Sequence, residues 1–186
     1  MSIKDTIKNN PTLKNLVHWM LVPSGEARPR IWVRILVNPF IHKKGAGSTI
    51  RWNTRMDVLP CNQFQLGANS TIEDFSTVNN GVGDVIIGNN VIFAQNIVAS
   101  ALNHEYRDPN QPIQAQPILK SLIVVEDDCW IAANAVITAG VRIGKHSVVA
   151  AGAVVTKNIP PYSVAVGNPA KVLKQYNFET KDWVRV

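Results

Sequence analysis

Cysteine is scarce in this chain. Its 186 residues include two, Cys61 and Cys129, too few and too widely spaced for a disulfide framework or a zinc cluster. Both read as buried thiols. Charged residues are also few, at 17% against 46% hydrophobic, which excludes the charge-rich composition of a disordered chain. Long apolar runs are missing: Ile31 to Val37 is broken by Arg34, far below the roughly 18 residues of a membrane span. The N-terminus lacks the basic flank, apolar stretch and small-residue cleavage site of a signal peptide, so a cytoplasmic protein is expected. The length suits one substantial domain.

What charge there is sits unevenly. Residues 1 to 55 hold ten Lys or Arg against Asp5 and Glu26, and the remaining residues hold nine against eleven acids. The net charge of +6 is therefore an N-terminal property. Without a zinc-finger pattern, an RNA-binding signature or a basic low-complexity tail, it does not point to nucleic acid.

The dominant feature is an internal repeat of six residues. From Val125 the chain reads VEDDCW, IAANAV, ITAGVR, IGKHSV, VAAGAV, VTKNIP. Each unit opens with Val or Ile, and the fifth position is small or aliphatic. The pattern is present upstream as LGANST and IEDFST, continues at Val78, slips by three residues and resumes as IGNNVI and FAQNIV. Period-two alternation explains the residues flanking each boundary, but not a phase that resets every six. A short strand followed by a turn of fixed length does. Three units close a triangular coil, and stacked coils form a parallel β-helix.

The arithmetic predicts the columns. Ile87, Val125 and Ile143 should stack, as should Phe93, Ile131 and Val149, and Ala99, Ile137 and Val155. Outside, Val98, Val136 and Val154 should form an apolar strip that another chain covers, most simply in a cyclic trimer.

Between Ala99 and Val125 the repeat is interrupted by SALNHEYRDPNQPIQAQPILKSLIV. Pro109, Pro112 and Pro117 argue against regular structure through most of it, so a loop is expected at one corner. It carries His104 beside Glu105, Arg107 and Asp108. A neutral imidazole suits a general base toward a hydroxyl, provided its other nitrogen is held by a carboxylate or carbonyl.

These hexapeptides, the segment ALNHEYRDPNQPI and the closing run through TKNIPPYSVAVGNPAKVLK resemble the hexapeptide-repeat acyltransferases, especially the sugar and polysaccharide O-acetyltransferases of the galactoside and maltose type. The resemblance spans about Leu66 to Lys174. It implies an all-β fold, a left-handed parallel β-helix with triangular coils and an extruded catalytic loop, assembled as a homotrimer with acetyl-CoA between neighbouring subunits. It further implies His104 as catalytic base and Asn79 or Asn80 on the substrate side. Trp130 would face the acceptor or the pantetheine arm, or pack at an interface. Ala133 and Ala151 would line the coenzyme groove, with Thr156, Lys157, Lys171 and Lys174 at its nucleotide end. The sequence departs from the pattern in having His-Glu-Tyr where galactoside-type enzymes often have His-Pro, which makes galactoside a poor guess for the acceptor.

The expected organisation is a helical and basic N-terminal cap over 1–45, a β-helix over 46–174 with its loop at 100–122, and a tail over 175–186. In the cap, apolar residues at 13, 16, 17, 20 and 21 form a helical stripe, with Thr12 a possible helix cap. Trp32, Ile35 and Val37 are candidates to plug the open end of the solenoid, and the basic segment around them allows peripheral association with an anionic membrane. Arg51, Arg55 and Asp57 stand near the beginning of the coils, at the acceptor end.

The expected reaction is direct acetyl transfer from acetyl-CoA to a sugar hydroxyl in surface polysaccharide synthesis, without a metal, prosthetic group or acyl-cysteine. N-acyl transfer to an amino sugar is the alternative reaction, and a catalytically inactive scaffold the non-enzymatic one.

Overall fold

The computed structural model describes residues 10, 12–13, 16, 43–51, 53–56, 64–79 and 84–186. Among them the chain winds as a left-handed parallel β-helix. The first coil comprises β1 (Lys43–Lys44), β2 (Thr49–Ile50) and β3 (Arg55–Met56). The second comprises β4 (Phe64–Leu66), β5 (Thr71–Ile72) and β6 (Thr77–Asn79), and the third β7 (Val85–Ile87), β8 (Ile92–Phe93) and β9 (Val98–Ser100).

After a ribbon of β10 (Leu102–His104) and β11 (Ile118–Lys120), the fourth coil follows as β12 (Ile123–Val125), β13 (Trp130–Ile131) and β14 (Val136–Ile137). The fifth is β15 (Arg142–Ile143), β16 (Val148–Val149) and β17 (Val154–Val155). Beyond it, β18 (Ser163–Val166), β19 (Lys171–Asn177) and β20 (Asp182–Arg185) prolong one side only. The three sides are the first sheet (β1-β4-β7-β12-β15), the second (β2-β5-β8-β13-β16-β18-β19-β20) and the third (β3-β6-β9-β14-β17).

The predicted columns are present. Val125 pairs with Ile87 and Ile143, Ile131 with Phe93 and Val149, and Ile137 with Ala99 and Val155. All nine are buried. Buried aliphatic side chains stabilise a fold by roughly 1.5–3 kcal/mol each, so the columns hold the prism together. The small fifth position is also explained, because that side chain points into a corner. Cys129, Ala135, Val141, Ser147, Ala153 and Ile159 are all buried there. Where it is serine, the next coil satisfies the hydroxyl: Ser147 Oγ donates to Pro160 O at 2.9 Å.

Each corner also needs one residue in the left-handed region. Asn90, Asn96, Asp128, Asn134, Gly140, His146 and Gly152 all have φ between 56° and 84°. They occupy the fourth position of their units, where asparagine and glycine tolerate this backbone best. At the corner between the first and second sheets the backbones also approach closely, and a Cβ on Gly67 would collide with the carbonyl of Gly88.

The insertion is irregular through most of its length, as expected, but its base is ordered: β10 and β11 pair antiparallel. Its prolines lie outside these strands, with Pro112 leading the single 3₁₀ turn Ile113–Ala115 and Pro117 directly preceding β11. Near the N-terminus, Thr12 is already helical, and Asn10 Oδ1 accepts the Leu13 N–H at 3.1 Å. Asn10, not Thr12, therefore supplies the capping side chain. Trp32, Ile35, Val37 and the basic segment considered for membrane association, apart from Lys43 and Lys44 in β1, lie outside the described residues. Among the described residues no helix is long and apolar enough to cross a membrane.

Candidate active site

The third sheet passes directly into the ribbon that carries His104. Glu105 N–H donates to Pro117 O at 2.9 Å, and Ser121 N–H to Ala101 O at 3.0 Å. Between these bonds His104 and Ile118 face each other as a non-hydrogen-bonded pair, with their side chains on one face. The imidazole is exposed, and among the described residues no side chain hydrogen-bonds it.

Its neighbour Glu105 does not supply an orienting carboxylate. Glu105 Oε1 accepts the Tyr106 and Arg107 N–H groups at 2.9 and 3.1 Å, and Oε2 pairs with Arg107 at 3.3 Å. Those amide bonds, the Tyr106 one first, hold its carboxyl below the usual range.

The loop tip is organised by Gln116, which sequence reasoning did not single out. Its side chain is buried, with Nε2 donating to Asp108 O at 2.9 Å and Gln111 O at 3.1 Å, while Oε1 accepts the Asp108 N–H at 3.3 Å. One amide thereby fixes the chain across the proline-rich bend.

The other expected residues fall on distinct parts of the prism. Trp130 projects from the second sheet between Ile92 and Val148 and is 51% exposed. Lys174 lies in the same outward column, opposite Val164, and Lys171 lies beside it opposite Val166. Ala133 and Ala151 stack in the corner between the second and third sheets, where the Gly152 N–H donates to Ala133 O at 2.9 Å. Thr156 and Lys157 follow β17 at the corner between the third and first sheets, both exposed. This is the side from which the ribbon leaves two coils earlier. Asn79 ends β6 opposite Ser100, and Asn80 lies outside the described residues. At the beginning of the coils Arg51 pairs with Glu73 at 3.1 Å.

One chain thus brings Trp130, Lys171 and Lys174 to one face and stacks Ala133 on Ala151. It leaves His104, Thr156 and Lys157 at another edge. A groove of about 370 Å³ on the first sheet contains none of these residues. Its rim is internally neutralised, with Arg142 against Glu126 at 2.6 Å and Lys145 near Asp128 at 3.8 Å. Cys129 is buried, and burial pushes its thiol up to about 11, which suits a core thiol and opposes a nucleophile. Among the described residues no cluster of three or more His, Cys, Asp or Glu is arranged to hold a metal.

Comparison with known proteins agrees with this architecture. Residues 123–157 match the bacterial transferase hexapeptide family (six repeats). A tetrahydropyridine-dicarboxylate N-acetyltransferase from Brevibacillus brevis is 52% identical over 71 residues, 38% of this chain and 28% of the relative. The chain spans only about a quarter of the length of the curated relatives it matches. Among solved structures, a galactoside acetyltransferase in complex with coenzyme A superposes with TM-score 0.69 at 24% identity, covering 93% of this chain and 83% of that one. A maltose O-acetyltransferase from Clostridium difficile 630 gives TM-score 0.64 at 26% identity, covering 91% and 87%. Taken with the six-residue phase of the coils, these matches show that residues 123–157 carry the bacterial transferase hexapeptide repeat and that the fold is the one seen in solved hexapeptide-repeat acetyltransferases.

Proposed function

We propose that this chain is an acetyl-CoA-dependent acetyltransferase that modifies a sugar hydroxyl, with His104 as the general base. The observation that carries the reading is the placement of His104: an exposed imidazole at the end of a short, paired strand, in the one large insertion between the described coils. The paired ribbon holds the backbone at His104, and the Gln116 bonds brace the loop tip beyond it.

His104 takes the proton from the acceptor hydroxyl as its oxygen attacks the thioester carbon. The tetrahedral intermediate collapses with cleavage of the carbon–sulfur bond, and the imidazolium returns the proton to the departing thiolate. Such proton transfer contributes roughly 10²–10⁴-fold. Backbone N–H groups of a coil turn are suited to the developing oxyanion.

The site is completed between subunits of a trimer. The ribbon exposes Ile118, Leu119 and Leu122 at 47%, 40% and 43%, and a two-stranded ribbon is marginal alone in water. A neighbouring copy that covers it brings His104 to that copy's Ala133 and Ala151 corner. Val98, Val136 and Val154, aligned on the third sheet, form the rest of the contact. In this reading Thr156, Lys157, Lys171 and Lys174 serve the coenzyme phosphates, Trp130 serves the pantetheine arm or acceptor, and Asn79 or Asn80 the acceptor. The sugar belongs to a surface polysaccharide precursor, and the protein works in the cytoplasm, at the inner face of the membrane when its basic N-terminal segment engages anionic lipid.

A second reading, N-acetyl transfer, is favoured by the 52% identity to an N-acetyltransferase over 71 residues. An acceptor screen with acetyl-CoA that includes amino sugars separates the two. Thiol release with a hydroxyl acceptor, and NMR location of the acetyl on oxygen, is the expected result. Acetylation confined to nitrogen would replace the first reading by the second.

A further inference from the structure

The outward column of the second sheet is continuous and changes character along its length. Register pairs Thr49 with Thr71, Thr71 with Ile92, Ile92 with Trp130, Trp130 with Val148 and Val148 with Val164. The antiparallel strands carry it on from Val164 to Lys174, and from Lys174 to Arg185. Two polar residues are followed by four apolar ones and then two cations. At ~4.8 Å per strand, Lys174 stands about 14 Å from Trp130 and Arg185 about 19 Å.

Lys174 and Arg185 are directly opposed. The Val186 N–H donates to Leu173 O at 3.2 Å, so the adjoining pair, Lys174 with Arg185, is a non-hydrogen-bonded one, in which side chains lie closest. The next such pair, Tyr176 and Trp183, has ring centroids 5.5 Å apart, which is that close geometry realised. Like charges directly opposite across strands destabilise a sheet. Among the described residues no carboxylate pairs with Lys171, Lys174 or Arg185, and the acid on the same strand, Asp182, instead accepts the Trp183 N–H at 2.7 Å.

We propose that Arg185, delivered by the C-terminal strand β20, joins Lys174 in binding a phosphate group of the coenzyme. An anion between the two cations converts an unfavourable cross-strand pair into a paired site. Arginine suits it because a planar guanidinium can bind phosphate through two parallel hydrogen bonds. The apolar stretch of the column, Ile92 to Val164, then lies alongside the uncharged arm of the same ligand. The proposal rests on the acetyl-CoA reading above and extends the binding surface past Lys174, where the resemblance to known acyltransferases ends.

The test is calorimetric titration of the full chain, as wild type, Arg185→Ala, Arg185→Lys and Lys174→Ala, with coenzyme A, with 3′-dephospho-coenzyme A and with pantetheine. Arg185→Ala is expected to weaken coenzyme A binding about tenfold, the scale of one charge-assisted hydrogen bond, and Arg185→Lys to weaken it less. A loss seen with coenzyme A alone places the 3′-phosphate at Arg185. An equal loss with dephospho-coenzyme A places the pyrophosphate there. Pantetheine, which has no phosphate, should not distinguish the variants. If Lys174→Ala weakens coenzyme A binding while Arg185→Ala leaves it unchanged, the Arg185 site is overturned and the coenzyme reading stands. If the wild type binds no coenzyme A, both fall. Circular dichroism of each variant separates lost contacts from lost folding.

Discussion

Asn96 and Asn134 are joined across one coil step, Asn96 Nδ2 donating to Asn134 Oδ1 at 2.7 Å, and both hold a left-handed backbone with φ of 57° and 61°. The same residue type serves two needs, tolerating the turn conformation and linking one turn to the next. A parallel series runs along the corner between the first and second sheets, where Asn90 Nδ2 donates to Asp128 Oδ1 at 3.1 Å.

Asn134→Ala should lose both services and cost about 1–2 kcal/mol of stability. Asn134→Gly keeps the backbone freedom, loses only the ladder bond, and should cost less. Denaturant unfolding measures both. Equal losses would mean that the left-handed conformation is not part of the cost.

Phe75 occupies the same turn position in the second coil with φ of 64° and is 65% exposed. A bulky residue there carries strain with little burial in return. Phe75→Asn should raise stability by about 1 kcal/mol, read as a higher unfolding midpoint. A lower midpoint would reveal packing that the exposed ring does not suggest.

Burial raises the Cys129 thiol from 9.0 to about 11. Because folding favours the protonated form, this contribution is fully present below pH 9 and is lost as pH rises through 11. Stability should fall less steeply over that window in Cys129→Ala than in the wild type, and Cys129 should resist alkylation at neutral pH until the chain unfolds. Rapid labelling of native Cys129 would contradict its placement in the corner.

His104→Ala should leave the coils intact and reduce turnover by roughly 10²-fold or more. Initial rates at saturating acetyl-CoA, beside an unchanged circular dichroism spectrum, check this. Undiminished turnover removes the base assignment.

Val136→Glu places a carboxylate in the centre of the Val98 and Val154 strip. Buried against a neighbouring copy it would be costly, so trimer mass and activity should disappear together in sedimentation and rate measurements. An active monomer would refute a shared site. An intact, active Val136→Glu trimer would move the interface to another face.

The coils were legible where units open with an apolar residue, from Leu66 onward and across the later break. The earliest coil was not, because Lys44 stands where Leu66 and Ile87 stand in the coils above it. The ribbon at His104 was hidden because its strands are three residues each and the intervening prolines dominate the local signal. The strands that close the second sheet follow no six-residue phase. Arg185 went unremarked because only the alternation of DWVRV announces β20, and nothing local says what it pairs with. Positions in the candidate site came from the resemblance to the acyltransferases, because unit arithmetic assigns a residue to a corner but not to a neighbour on another copy.

The reversal of direction between β18 and β19 ends the parallel stacking of the second sheet. A stack of parallel coils with an open rim is a template onto which an identical stack can grow, and repeated growth makes a filament. Along the second sheet that rim is occupied by two strands running against each other, and the last edge carries Asp182 and Arg185, charges of the kind that discourage further strand addition. Removing β20 would therefore expose a longer-lived sticky end, and soluble protein should give way to linear polymers, even with every hexapeptide intact.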